Sequence, residues 1–354
     1  MRSGRVGLTV VVAVLAAGVG VWGGVYHFAL GAPNPCAGIV TPSSTTNATA
    51  VRPAPAASPA LGAPTGPSGP TGRSSSGPVV NVVAAENFWG SLVSQLGGTH
   101  VNVTSIITDP NTDPHEYEAN DSDAKAIKNA QYVIVNNVGY DDWATSLIAA
   151  DGATNQTVLN IGDMLGVSVT GGIVTGNPHL WYNPAYVNQT VQWMYDNLTT
   201  IAPSLTSYFR ANLENLTASL ASLYQEVGLI RHLFSGTVVA STESIFVYLA
   251  NATGLDLVSP PAFMEAVAEG NDPPDQSVVT FQCQLESGNV RVLVFNAQTV
   301  TPITTSMKAI AEEHNVSVTS VTETIVPPND TFQEWMGGEL NALYVALDAA
   351  ALGR

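Results

Sequence analysis

Cysteine is nearly absent from this sequence. Only Cys36 and Cys283 occur among 354 residues, which excludes a disulfide-dense scaffold and a thiolate-rich zinc finger. Any metal held here is bound through nitrogen and oxygen. Cys36 lies in a segment with no reason to dock, so separate thiols are favoured over a Cys36–Cys283 disulfide. Positive charge is equally scarce. Lys and Arg total 11 against 28 Asp and Glu, for a formal net charge of -17, so contact with nucleic acid or an anionic lipid surface is electrostatically unfavourable. An acidic surface favours cations, but by itself it is only a solvated face. Also missing are His-Glu-x-x-His and Gly-x-Ser-x-Gly, the motifs of zinc and serine hydrolases.

What is present divides the chain into five parts. Arg2 and Arg5 precede an uncharged run from Val6 to Tyr26, so residues 1–32 read as a secretory signal or an N-terminal membrane anchor. The run is long enough to span a bilayer and no clean Ala-x-Ala site follows, which favours a retained anchor. Lipidation at Cys36 is the weaker alternative, because Asn34-Pro35 makes a poor lipobox. Residues 33–78 are dominated by Pro, Ser, Thr, Gly and Ala and bury too little apolar surface to fold, so they form a flexible tether. The body is thus exported. Sequons such as Asn102, Asn197 and Asn251 would permit glycosylation in a suitable host.

From Val79 onward, short β-branched runs alternate with helical periods. Strands are predicted at Val79–Ala85, Val101–Ile107, Tyr132–Asn136 and Thr157–Ile161, with helices at Glu86–Leu96, Ser122–Ala130 and Asp142–Ala150. Leu205, Phe209, Leu213, Leu216, Leu220, Leu223 and Val227 recur at three- and four-residue spacing and predict one long helix ending near Phe234. The alternation then resumes to Ala350. This is α/β architecture: an N-terminal lobe over 79–203, a connecting helix over 204–234 and a C-terminal lobe over 235–354, each lobe doubly wound around a parallel sheet.

Two histidines share a setting, Asp113-Pro114-His115-Glu116-Tyr117 and Asn177-Pro178-His179-Leu180-Trp181. Proline stiffens the loop presenting each imidazole. A lone loop histidine is ordinarily a surface residue, but a repeated x-Pro-His with an aromatic two residues on argues for a ligand pair. In the second lobe Glu243 and Glu323 each follow a strand, where open parallel sheets bind ligands. Taken singly, Glu243 reads equally as a helix-start carboxylate and Glu323 as a solvated loop acid. His27, His100, His232 and His314 read as structural or surface residues, and Glu265, Glu269, Asp272 and Asp275 as a solvated loop.

These residues resemble the metal-binding solute-binding proteins of ABC importers for zinc, manganese or iron, the zinc-uptake and adhesin-lipoprotein family. The resemblance covers about Val79 to Ala350. It rests on TDPHEYEANDSDAKAIKNAQYVIVNNVGYDDW (112–143), NPHLWYNP (177–184), STESIFVYLANATGL (241–255) and VTETI (321–325). It implies one metal ion at the lobe interface held by His115, His179, Glu243 and Glu323, with a membrane permease as partner and a monomeric binding protein. Glu243 stands where typical zinc-uptake members have His and many manganese or iron members have Glu. Glu323 is one methylene longer than the Asp of many relatives, the His-rich loop of many zinc-uptake members is lacking, and Asn296 replaces a frequent Glu. Glu116, Tyr117 and Trp181 are candidates to orient the histidines or wall off solvent, and aromatic packing alone would equally explain the last two.

Two neutral imidazoles and two carboxylates balance a divalent charge, and the mixed set suits zinc, manganese or ferrous iron better than calcium or magnesium. The rival reading is an exported metallohydrolase. A catalytic site, however, keeps a position open for water, and four protein donors would fill a tetrahedral zinc.

Overall fold

A computed structural model describes Cys36 and residues 77–151, 156–167, 169–170, 173–174 and 176–353. The expected anchor and nearly all of the tether lie outside the described residues. The first lobe runs β1 (Val80–Glu86), α1 (Asn87–Gly97), β2 (Val101–Ile107), α2 (Asp121–Asn129), β3 (Tyr132–Val135), α3 (Asp142–Asp151), β4 (Thr157–Asn160) and α4 (Ile161–Leu165). It closes with a short hairpin, β5 (Val169–Thr170) and β6 (Ile173–Val174), and α5 (Pro184–Ile201). Helix α6 (Thr206–Phe234) leads to the second lobe: β7 (Val238–Ser241), α7 (Val247–Thr253), β8 (Asp256–Leu257), α8 (Pro261–Ala268), α9 (Asp275–Glu286), β9 (Val292–Asn296), α10 (Pro302–Glu313), β10 (Ser317–Val321) and α11 (Phe332–Leu352).

Each lobe holds a four-stranded parallel sheet, in the orders β2-β1-β3-β4 and β10-β9-β7-β8. In both, the strand order reverses at the centre, between β1 and β3 and between β7 and β9. Loops diverge at such a switch point and leave a crevice beyond the strand ends.

Side-chain alternation explains the layers. In β1, Val80, Val82 and Ala84 enter one core while Val83 and Ala85 enter another; in β9, Val292 and Val294 face one core and Leu293 the other. Strands buried on both faces must be apolar throughout, which is the pattern read from the sequence. Separate outer cores lie beneath α2 and α3 in the first lobe and beneath α8, α9 and α10 in the second. The inner core is shared. One continuous cluster joins Phe88, Trp89 and Leu92 of α1 to Leu216, Leu220 and Leu223 of α6 and to Leu340, Leu343 and Leu347 of α11.

A polar seam runs beside that core. On α1, Asn87, Ser91 and Gln95 are spaced by four and so lie on one helix face. Asn87 Oδ1 accepts the Ile325 N–H at 3.0 Å, Ser91 Oγ accepts the Phe332 N–H at 3.0 Å, and Gln95 exchanges amide hydrogen bonds with Gln333 at 2.9 and 3.0 Å. First and second lobes are stitched together along this line.

Several expectations are corrected. Both cysteines are disulfide-bonded, where separate thiols were expected; composition alone underweighted the oxidising compartment that an exported chain enters. Glu265 lies on α8, a helix the loop reading missed, and Asp275 opens α9, although all four acids of that cluster are exposed. The segment from Ser244 begins as a 3-10 turn before α7. His100 keeps its structural reading: it is buried, its Nδ1 3.1 Å from the Pro78 carbonyl and its ring edge-on to Tyr208. Among the described residues, no helix is long and apolar enough to cross a membrane.

Candidate metal centre

His115, Glu243 and Glu323 sit on chain leaving the carboxyl ends of parallel-sheet strands, and His179 follows the short β5–β6 hairpin. His115 lies past β2 on a 3-10 turn, Pro114–Glu116, whose preceding Asp113 accepts the His115 backbone N–H at 3.0 Å. His179 has the same device: Asn177 Oδ1 accepts its backbone N–H at 2.9 Å. The repeated Asx-Pro-His motif is therefore one local structure used twice, an Asx turn stiffened by proline that aims an imidazole. Glu243 follows β7 and precedes the turn Ser244–Phe246, but its side chain caps nothing. Glu323 follows β10, and its backbone N–H donates to Gln298 Oε1 at 2.6 Å.

The four side chains converge, with one donor atom from each lying within 4.8 Å of all the others. His115 Nε2 is 3.4 Å from Glu323 Oε2, His179 Nε2 is 3.2 Å from Glu243 Oε1, and His179 Nε2 is 3.7 Å from Glu323 Oε2. A tetrahedron with bonds of about 2.1 Å has edges of about 3.4 Å, so these separations suit an ion-sized centre. Both Nε2 atoms are buried without a hydrogen-bond partner. Glu243, Glu323 and His179 are fully buried, and only His115, with 12% of its side chain exposed, reaches the surface. A cavity of about 820 Å³ opens beside it, lined among others by Gly139, Asn177, Ser244, Glu265 and Glu269.

Charge at the centre is strongly coupled. Burial disfavours the charged His115 ring, yet the Glu323 carboxylate beside it, helped by Glu243 and Asp113, outweighs that and raises its pKa to about 9. Burial likewise opposes ionisation of Glu323, but the two histidines hold it well below the usual carboxylate range. Glu243 is raised, first by burial and then by Glu323, against the pull of His179. Two carboxylates this close in a dry site repel unless positive charge lies between them.

The surroundings fix each donor. His179 Nδ1 lies 2.7 Å from Asn177 Oδ1, a contact that holds the proton on Nδ1 and leaves the Nε2 lone pair free. Asn177 Nδ2 donates to the Ser244 carbonyl, tying this loop to the second lobe. Replacing Asn177 by alanine is expected to weaken metal binding about 10–100-fold, read by competition with a chromogenic chelator; unchanged affinity would show that His179 orients itself.

Tyr140 donates to Glu323 Oε2 at 2.8 Å and packs edge-on to His115. The loop that carries it bends through Asn137 and Val138, at φ 63 and 61, a left-handed conformation that a β-branched residue adopts only under constraint. Asp141 supplies that constraint, accepting the N–H groups of Asn136 and Asn137, each at 2.6 Å. Gly162 packs beneath the loop, where an added Cβ would come within 2.5 Å of Val138 Cγ2 and 2.9 Å of the Val167 carbonyl oxygen. Gly162→Ala is thus expected to cost about 1–3 kcal/mol in a thermal or denaturant melt, and an unshifted melt would contradict the tight fit.

Of the three residues expected to orient the histidines or wall off solvent, only Trp181 packs against the centre: it stacks on Phe88 at 4.0 Å and lies against His179 and Tyr140. Glu116 is exposed, and Tyr117 turns away to donate to Asp123 at 2.8 Å. The capping box of α2 claims that aspartate and draws Tyr117 with it. Sequence reasoning missed Tyr140, Asn177, Ser244 and Thr299; the Asx before each Pro-His was the one local signal available.

The profile of the family described as zinc-uptake complex component A, periplasmic (ZnuA), matches residues 82–346. The manganese-binding lipoprotein MntA of Halalkalibacterium halodurans is 27% identical over 194 residues, 53% of this chain and 62% of that protein, so the chain spans less than two thirds of that relative's length. Among solved structures, a ZnuA crystal structure superposes with TM-score 0.62 at 20% identity over 77% of this chain and 98% of that one. The solute-binding protein FpvC of Pseudomonas aeruginosa, solved with Mn2+, gives 0.62 at 21% identity over 77% and 99%. The laminin-binding adhesin Lmb of Streptococcus agalactiae gives 0.64 at 18% over 76% and 99%. Those likenesses establish the two-lobed fold, and the profile match, which spans well over half of the sequence, establishes that the chain belongs to the zinc-uptake complex component A family.

Proposed function

We propose that this chain is the extracytoplasmic solute-binding component of an ABC importer and captures one divalent transition-metal ion between its lobes. His115, His179, Glu243 and Glu323 are its ligands, and the ion is cargo for a membrane permease. The observation that carries this reading is the convergence of two imidazoles and two carboxylates from opposite lobes on one buried point. Relatives named for zinc and manganese support the class of cargo. Residues 1–32 serve as the secretory signal or membrane anchor, and 33–78 link them to the metal-binding body.

Four protein donors also favour binding over hydrolysis, because an enzyme needs a coordination position for water. Titration of chelator-treated protein with zinc and with manganese tests the proposal directly. One ion per chain is expected, and crystals grown with the ion should give an anomalous peak between the four side chains. A peak elsewhere, or binding that survives alanine at all four positions, would sink it.

A further inference from the structure

Asn296 ends β9 at the switch point of the second sheet and is fully buried. Its Nδ2 donates to Glu243 Oε2 at 2.6 Å and to Glu323 Oε1 at 2.8 Å, so its two N–H groups bridge both carboxylates. The orientation of the amide is set from behind: Oδ1 accepts the Gln298 backbone N–H at 3.0 Å. In the flipped orientation an oxygen would face two carboxylates while an N–H faced an N–H, so only one orientation is tolerable. Thr299 Oγ adds a second donor to Glu323 Oε1 at 3.1 Å.

The consequence lies in which oxygens remain. Glu243 Oε1 is the atom nearest His179, and Glu323 Oε2 is the atom near both histidines. Each carboxylate is thus split into an outer oxygen held by the amide and an inner oxygen turned to the imidazoles. Swinging an outer oxygen onto the ion would break a buried charge-assisted hydrogen bond and leave that N–H only the neutral Thr299 Oγ1, 3.0 Å from Nδ2, as an alternative acceptor.

Resting on the ligand set proposed above, we infer that Asn296 is a positioning residue that keeps both glutamates monodentate and so selects for four-coordinate cargo. A closed set of two nitrogens and two oxygens is the coordination zinc prefers. Manganese is suited by oxygen-rich sites of higher coordination, which bidentate glutamates would provide. By this account the asparagine counteracts the opening to higher coordination that Glu243 would otherwise give.

X-ray absorption at the zinc edge of the wild-type, one-to-one complex tests this without any variant: four light-atom neighbours at about 2.0–2.1 Å are expected, and five or six would overturn it. Asn296→Ala supplies the second arm, with zinc and manganese affinities measured by competition. Zinc affinity should fall about 10–100-fold while manganese affinity holds or rises, and the manganese-loaded variant should show a raised coordination number; an unchanged affinity ratio would overturn the inference. If that variant fails to fold, the wild-type spectrum alone decides. Failure of the ligand set is separately visible, because the wild type would then bind no ion at one per chain, or His179→Ala would bind as tightly as wild type.

Discussion

His179→Ala is expected to lower zinc affinity by about two to three orders of magnitude. Four-ligand zinc sites bind with about 10–16 kcal/mol, so an equal share per ligand is roughly 2.5–4 kcal/mol, and each 1.4 kcal/mol is a factor of ten. Of the four proposed ligands, His179 is the one whose loss should cost most, since its Nε2 lies near both carboxylates and its ring is fully buried. Without it, Glu243 loses the neighbour that most opposes the upward push of burial on its carboxyl. Competition with a chelator of known affinity measures the loss. A loss under tenfold would mean that the ion does not use this imidazole.

A large pH effect follows from His115, and it has two parts of opposite sign. In metal-free protein its pKa of about 9, against 6.5 for the free side chain, means that the folded state holds the proton more tightly than the unfolded chain. That contribution, about 3 kcal/mol, is complete below pH 6.5 and is lost as pH rises through 9. The ion pair with Glu323 is the same interaction seen from its other partner and is not added again. Metal-free protein should therefore melt at a lower temperature at pH 9.5 than at pH 6.5. Metal capture runs the other way, because the ion needs a neutral imidazole and must expel that proton. Affinity should rise about tenfold per pH unit between pH 7 and 9, with one proton released per ion in calorimetry across buffers of different ionisation enthalpy. Affinity that is flat over this range would remove His115 from the ligand set.

The two lobes, the long helix and most strands were legible because strands buried on both faces and a three- and four-residue apolar spacing are local patterns. The histidines were legible for the same reason, through the Asx-Pro-His repeat. Tyr140 and Glu323 are 183 positions apart and Asn296 and Glu243 are 53 apart, and no spacing rule reaches across such distances. Glu243 and Glu323 each looked like ordinary acids at a strand end, and became distinctive only by meeting. Tyr117 misled because its place in the repeat matched that of Trp181, while the neighbouring α2 capping box, itself readable, held the decisive partner in Asp123.

The line of hydrogen bonds from Asn87, Ser91 and Gln95 to residues 325–333 bears on how far the lobes move. Hydrogen bonds running down one side of both lobes oppose any wide parting of the two halves. In the proposed role, a seam of this kind holds the lobes together while the ion enters, so metal-free and metal-loaded protein should give nearly the same radius of gyration in solution scattering, and a large difference would show that the seam opens.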